Sequence, residues 1–147
     1  MSLAQLYTIC LDRIHGYLKV GMWNFYFENN PLSELLTLVV HNLMDLTQSS
    51  GQDPPKVGDV LVLLTSGRLR RLDLCPFQLE EDWNSIAHRI GFNSFLYNII
   101  SWNPYLEELY LVILPDFEVL RKCQNLQILR IYKLCILGIR FVTIFFL

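Results

Sequence analysis

The side chains able to do chemistry are few and scattered. Three histidines stand at His15, His41 and His88, and four cysteines at Cys10, Cys75, Cys123 and Cys135. A zinc or redox site needs its ligands in a C-x-x-C turn or at helical spacing. No cysteine pair has that spacing, and the histidines are far apart in the chain. A cysteine nucleophile needs a base beside it. Cys10 and His15 would fall on different faces of one helix, so a dyad between them has no support. The run Glu80-Glu81-Asp82 could serve as a carboxylate site. Acids at a helix start are, however, stabilised by the helix dipole and solvated there. Gly-rich phosphate loops, the G-x-S-x-G elbow and the H-E-x-x-H zinc helix are all missing from the sequence. The expectation is a non-enzyme that uses no cofactor and no metal.

What the chain does repeat is a phrase. Leu69-Arg70-Arg71-Leu72-Asp73-Leu74, Leu106-Glu107-Glu108-Leu109-Tyr110-Leu111 and Leu126-Gln127-Ile128-Leu129-Arg130-Ile131 all read L-x-x-L-x-L/I. Each resembles the strand core of a leucine-rich repeat, which stacks into a solenoid that binds other proteins. The first, fourth and sixth positions then point into the core. Between them Arg71 and Asp73, Glu108 and Tyr110, and Ile128 and Arg130 alternate outward. Aligned in a parallel sheet, these six would form one continuous face for a protein substrate. Three buried strands of an ordinary α/β domain would carry a similar pattern, but all three phrases stand in a polar frame, which favours the repeat.

The middle leucines fall at 72, 109 and 129. The second interval fits a short repeat of about 20–29 residues. The first is too long for one repeat and too short for two. The segment from Glu80 to Ile100 fills it as a helix, with Trp83, Ile86, Ala87 and Ile90 on one face.

Composition sets the bounds. The chain has 147 residues, 52% apolar and 13% aromatic, enough for a folded core and too apolar for disorder. A net charge of −2 argues against nucleic acid. After Glu118 only bases remain, from Arg121 to Arg140, which reads as a solvated face, with attraction of an acidic partner as the alternative. The apolar neighbours of the cysteines suit reduced, buried thiols. No glycosylation acceptor or signal peptide is present, and the expected setting is cytoplasmic or nuclear.

Ahead of the repeats lies a helical module over residues 1–48. Leu3, Leu6, Cys10, Ile14 and Tyr17 share one stripe of a helix over residues 3–20, with Gly21 as its stop. Asn30 and Pro31 open a second helix that fades near Thr47, with Glu34 in its first turn. Residues 49–58, rich in Ser, Gly and Pro, form a linker. Residues 59–147 form the repeat module. Its tail, Leu134 to Leu147, is very apolar. It is shorter than the roughly 20 residues that span a bilayer, and Arg140 interrupts it. It reads as a buried strand or an abnormal or truncated end, with a membrane anchor as the alternative.

Leu6-x-x-x-Cys10-x-x-x-Ile14 resembles the BC-box, the helix that substrate receptors dock into the Elongin B/C adaptor. Gln5 stands where that pattern has Ser, Thr or Pro. The segment Asn30 to Leu36 resembles the proline-led helix that selects the cullin, and also the start of an F-box. Together with the repeats, the layout resembles the Zyg-11/Zer-1 family of cullin-2 ubiquitin-ligase receptors, and secondly F-box leucine-rich-repeat proteins. The resemblance implies an α/β leucine-rich-repeat solenoid behind a two-helix module. It also implies a non-catalytic substrate receptor of a cullin-RING ligase. Leu6, Cys10 and Ile14 would meet an Elongin B/C-like or Skp1-like adaptor, and Pro31, Leu35 and Leu36 would lie near the cullin. The alternative is a plain leucine-rich-repeat scaffold, whose first helix only caps the solenoid and buries Cys10.

Overall fold

The computed structural model describes residues 1–23, 29–49, 60–76, 86–135 and 138–145, the side chains of 86–89 and 133–145 excepted. Helix α1 spans Leu3–Lys19 and is closed at both ends by its own sequence. Ser2 Oγ accepts the Gln5 N–H at 3.2 Å, and Gln5 Oε1 accepts the Ser2 N–H at 2.8 Å. This reciprocal pair satisfies two N-terminal donors and gives Gln5 a structural role. At the other end Gly21 adopts φ +66°, as a left-handed stop requires. Its N–H donates to Leu18 O at 3.0 Å, and Met22 N–H donates to Tyr17 O at 3.1 Å.

The face that α1 buries is not the expected stripe. Leu11, His15 and Leu18 are buried, whereas Leu3, Leu6, Cys10 and Tyr17 are exposed and Ile14 is half-buried. The helix carries two apolar edges, and the partner element chooses between them. Here α2 (Thr37–Ser49) packs alongside, and Asn42 Nδ2 donates to the Tyr7 hydroxyl at 2.7 Å.

The expected single helix from Pro31 to Thr47 is divided. Residues Pro31–Glu34 form one 3-10 turn, Leu35 is extended at φ −77°, ψ 154°, and α2 begins only at Thr37. The cause is Asn30. Its Oδ1 accepts the Leu32 N–H at 2.8 Å, while its Nδ2 donates to Val62 O at 2.7 Å and Thr65 Oγ1 at 3.2 Å. A cap that is also tied to a distant turn holds the chain tighter than an α-helix would. Pro31 at the first position suits that turn.

The three phrases form a parallel sheet in register. Strands β1 (Arg71–Asp73), β2 (Glu108–Leu111) and β3 (Ile128–Cys135) lie side by side in that order. Leu72, Leu109 and Leu129 stand opposite one another, as do Asp73, Tyr110 and Arg130. All nine first, fourth and sixth positions of the phrases are buried. A short helix α3 (Leu61–Leu64) leads into β1. Helix α4 (Ile86–Trp102) fills the long interval between β1 and β2, as expected, and a single turn α5 (Phe117–Leu120) fills the shorter one. The Trp83 part of the expected helix lies outside the described residues. The class is α/β.

Between the sheet and its helices lies one core. Leu96 and Ile99 of α4, Val119 of α5 and Val40, Leu43 and Met44 of α2 pack with the strand leucines. A fully buried leucine contributes about 2 kcal/mol of transfer free energy, so this layer dominates the stability. Two buried asparagines serve the turns. Asn103 Nδ2 donates to Leu64 O at 2.6 Å and Ile99 O at 2.9 Å, and its Oδ1 accepts the Leu69 N–H at 3.1 Å. It thereby joins the ends of α3 and α4 to the start of the first phrase.

The two edges of the sheet differ. Beside β1 lies α2, which supplies side chains to the strand's polar groups. Arg70 N–H donates to His41 Nε2, and Gln48 Nε2 donates to Asp73 O at 3.1 Å. At the far side β4 (Gly138–Phe145) pairs antiparallel with β3, from Ile128 opposite Phe145 to Cys135 opposite Gly138. The described part of the tail is thus strand, Leu134 and Cys135 in β3 and Gly138–Phe145 in β4. Its expected burial and the residues of the 49–58 linker after Ser49 lie outside the described residues. No described helix is long and apolar enough to cross a membrane.

Candidate protein-binding surfaces

Two surfaces hold the candidate residues. The first is the outer edge of α1. Leu6 is 45% exposed and Ile9 51%, and Cys10 is exposed as well. Ile14 closes this edge, partly packed on the core. The thiol of Cys10 is therefore open, contrary to the expectation that the cysteines are buried. Cys75 and Cys123 are half-buried. Pro31, Leu35 and Leu36 do not share a helix. Pro31 starts the 3-10 turn, Leu35 packs against the core, and Leu36 is 74% exposed just before α2.

The second surface is the outward row of the strands. Its centre is Tyr110, which was expected to stand open and is instead buried. Two guanidinium groups cover its ring. Arg71 Cζ lies 5.2 Å and Arg130 Cζ 5.4 Å from the ring centroid. The phenol donates to Glu108 Oε2 at 2.8 Å. Burial pushes the Tyr110 hydroxyl above its usual pKa, helped by the bond to Glu108 and its charge, while Arg130 and Arg71 oppose the shift. Asp73 is engaged locally: its Oδ1 accepts the Cys75 N–H at 2.9 Å. Burial, and then the Asp73 charge, push the Cys75 thiol up to about 12. Ile128 stands half-buried opposite Glu108.

Arg70, just outside the row, pairs with Glu107 at 3.5 Å. Arg71 and Arg130 have no carboxylate partner among the described residues. The Arg130 Nε is buried and makes no hydrogen bond.

Neither Cys75 nor Cys123 is set up as a nucleophile. Burial raises the Cys123 thiol to about 11, which keeps it protonated at neutral pH. Cys123 lines an open hollow of about 470 Å³ with Phe117, Leu120 and Arg121, and among the described residues no histidine or carboxylate lines it. Among the described residues no group of three His, Cys, Asp or Glu could hold a metal. His15 is buried on α1 and His41 accepts the Arg70 N–H, and burial is the main cause that lowers the pKa of each. Glu80, Glu81 and Asp82 lie outside the described residues, as does the side chain of His88. The roles of His41 and Gln48 at the sheet edge were not legible in the sequence, because neither sits in a local motif.

The chain matches no family model, no curated protein and no solved structure.

Proposed function

We propose that this protein is a non-catalytic substrate receptor of a cullin-RING ubiquitin ligase, built as a short leucine-rich-repeat solenoid behind a helical adaptor-binding segment. One observation carries the reading. Helix α1 is anchored through Leu11 and Leu18 and leaves Leu6 and Cys10 open. A helix that only capped the repeats would bury its apolar residues inward, Cys10 included. An amphipathic helix with a second apolar edge facing solvent is the form that helix-in-groove recognition uses. Leu6 and Cys10 enter the adaptor pocket, and Ile14 meets its rim. The exposed Leu36 and Pro31 lie towards the cullin. The in-register burial of Leu72, Leu109 and Leu129 supports the repeat architecture. The receptor then acts by proximity, holding a protein substrate on the strand face near the ubiquitin-loaded enzyme. Such complexes work in the cytoplasm or nucleus.

The test is a pull-down of the full chain against purified Elongin B/C and, in parallel, Skp1. Binding to Elongin B/C that is lost in Cys10→Arg, with the fold kept, supports the reading, because an unpaired charge cannot enter an apolar pocket. Binding to Skp1 alone moves the protein to the F-box class. Binding to neither by a folded chain leaves a repeat scaffold with no ligase role.

A further inference from the structure

We propose that Arg71 and Arg130, which reach the Tyr110 ring from the two strands flanking β2, form a recognition site for the carboxylate side chains of an acidic peptide segment. This deepens the substrate-receptor reading by naming the substrate class, and rests on it only for biological context.

Both arginines lack a carboxylate partner among the described residues. Guanidinium has five N–H donors and is seldom left without an acceptor. Arg70 and Arg121 each meet a glutamate, at 3.5 Å and 3.1 Å. Arg71 and Arg130 meet the face of a tyrosine instead, at 5.2 Å and 5.4 Å. Contact with a ring face orients a guanidinium but leaves its N–H edge unused. Arg130 Nε is buried and makes no hydrogen bond, which leaves one of its donors unsatisfied.

The two acids of the row do not neutralise these arginines by contact. Glu108 accepts the Tyr110 hydroxyl and Asp73 accepts the Cys75 N–H. The Glu108–Tyr110 bond also fixes the ring, and the ring fixes both guanidiniums. The result is preorganised: two planar forks, one on β1 and one on β3, carried by a rigid sheet. Paired N–H edges match carboxylates in bidentate geometry. A peptide laid across the strands would bring one acidic side chain to each. Because the arginines are already ordered, less side-chain entropy is lost on binding.

The test is fluorescence anisotropy of the full chain with a labelled peptide rich in Asp and Glu, and with its Asn/Gln counterpart. The acidic peptide should bind and weaken with added salt, and the neutral one should not bind. Arg71→Gln and Arg130→Gln should each weaken the acidic peptide by about tenfold or more, the scale of one charged hydrogen-bonded contact. Arg121→Gln removes the same charge from an exposed arginine that pairs with Glu118 and does not touch the ring, and should change binding less than about twofold. Equal binding of both peptides, binding of neither, or equal losses in Arg121→Gln and Arg71→Gln would overturn the site. Arg71 is exposed, so its variant decides the matter should Arg130→Gln fail to fold. No adaptor is present in this assay. Peptide capture without Elongin binding keeps the site and discards the ligase role, and the converse result does the reverse.

Discussion

The backbone N–H of Arg70 donates to Nε2 of His41 across 3.2 Å, so a helix side chain takes the place of a neighbouring strand at the edge of the sheet. An uncovered edge is a template for aggregation, and this one is closed by an imidazole that must stay neutral to accept the bond.

Acid should therefore loosen α2 from β1. Burial, foremost, lowers the pKa of His41 from 6.5, and the nearby Arg71 and Arg70 add to this while Asp45 and Glu108 oppose it. His15 is lowered as well, by burial and then by Lys19, against Asp12. Above 6.5 both histidines are neutral in the folded and unfolded chain, and full stability is present. As pH falls through 6.5 towards the lower folded values, the unfolded chain takes up protons first and stability drops. Urea midpoints between about pH 7.5 and about pH 5 should fall steadily. His41→Gln keeps an acceptor that does not titrate and should flatten part of that slope. A midpoint independent of pH over this range would contradict the account.

Asn103 should be among the costliest polar residues to lose. Its amide serves Leu64 O, Ile99 O and the Leu69 N–H, all in the interior. Asn103→Ala strands these groups and should cost about 3 kcal/mol in chemical denaturation. Asn125 makes one exposed bond, to Pro104 O at 2.9 Å, and Asn125→Ala should cost less than about 1 kcal/mol. Similar losses for the two variants would show that the buried network is not what joins the turns.

The two apolar edges of α1 should respond in opposite ways. Leu11→Ala empties a core position and should cost about 2–4 kcal/mol. Leu6→Ala should leave the thermal midpoint nearly unchanged. Maleimide labelling of the native protein should modify Cys10 well before Cys75 and Cys123, whose thiols are raised to about 12 and about 11. Labelling of Cys10 only after denaturation would place it in the core after all.

Gly67 and Gly16 give a contrast in backbone terms. Gly67 sits at φ +75°, and a Cβ there would lie 3.2 Å from Trp102 O. Gly67→Ala should destabilise by about 1–2 kcal/mol. Gly16 lies within α1 with nothing within 4 Å of an added Cβ, and Gly16→Ala should stabilise by about 0.5–1 kcal/mol. Denaturation curves of the two variants should shift to opposite sides of the parent.

Much of the sheet was legible because its signal is local. The L-x-x-L-x-L spacing sets which side chains point inward without reference to the rest of the chain. Leu72, Leu109 and Leu129 accordingly meet in register. The 3-10 turn at Pro31 was not legible, since its cause is a bond from Asn30 to residues 62 and 65. The same holds for α1. Periodicity found an apolar stripe, but Leu11 and Leu18 form another, and only the position of α2 decides which is buried. Tyr110 stands in register with Asp73 and Arg130 but is buried. Its burial depends on Arg71 and Arg130 from neighbouring strands, a relation no single phrase contains.

The order of the strands also bears on how the molecule is made. The sheet runs β1-β2-β3-β4, and α2, which closes its first edge, precedes them all in the chain. Every strand therefore emerges from the ribosome after the neighbour it must pair with, and none has to be threaded between two others. The sheet can grow one strand at a time during translation, each new edge serving as the seed for the next.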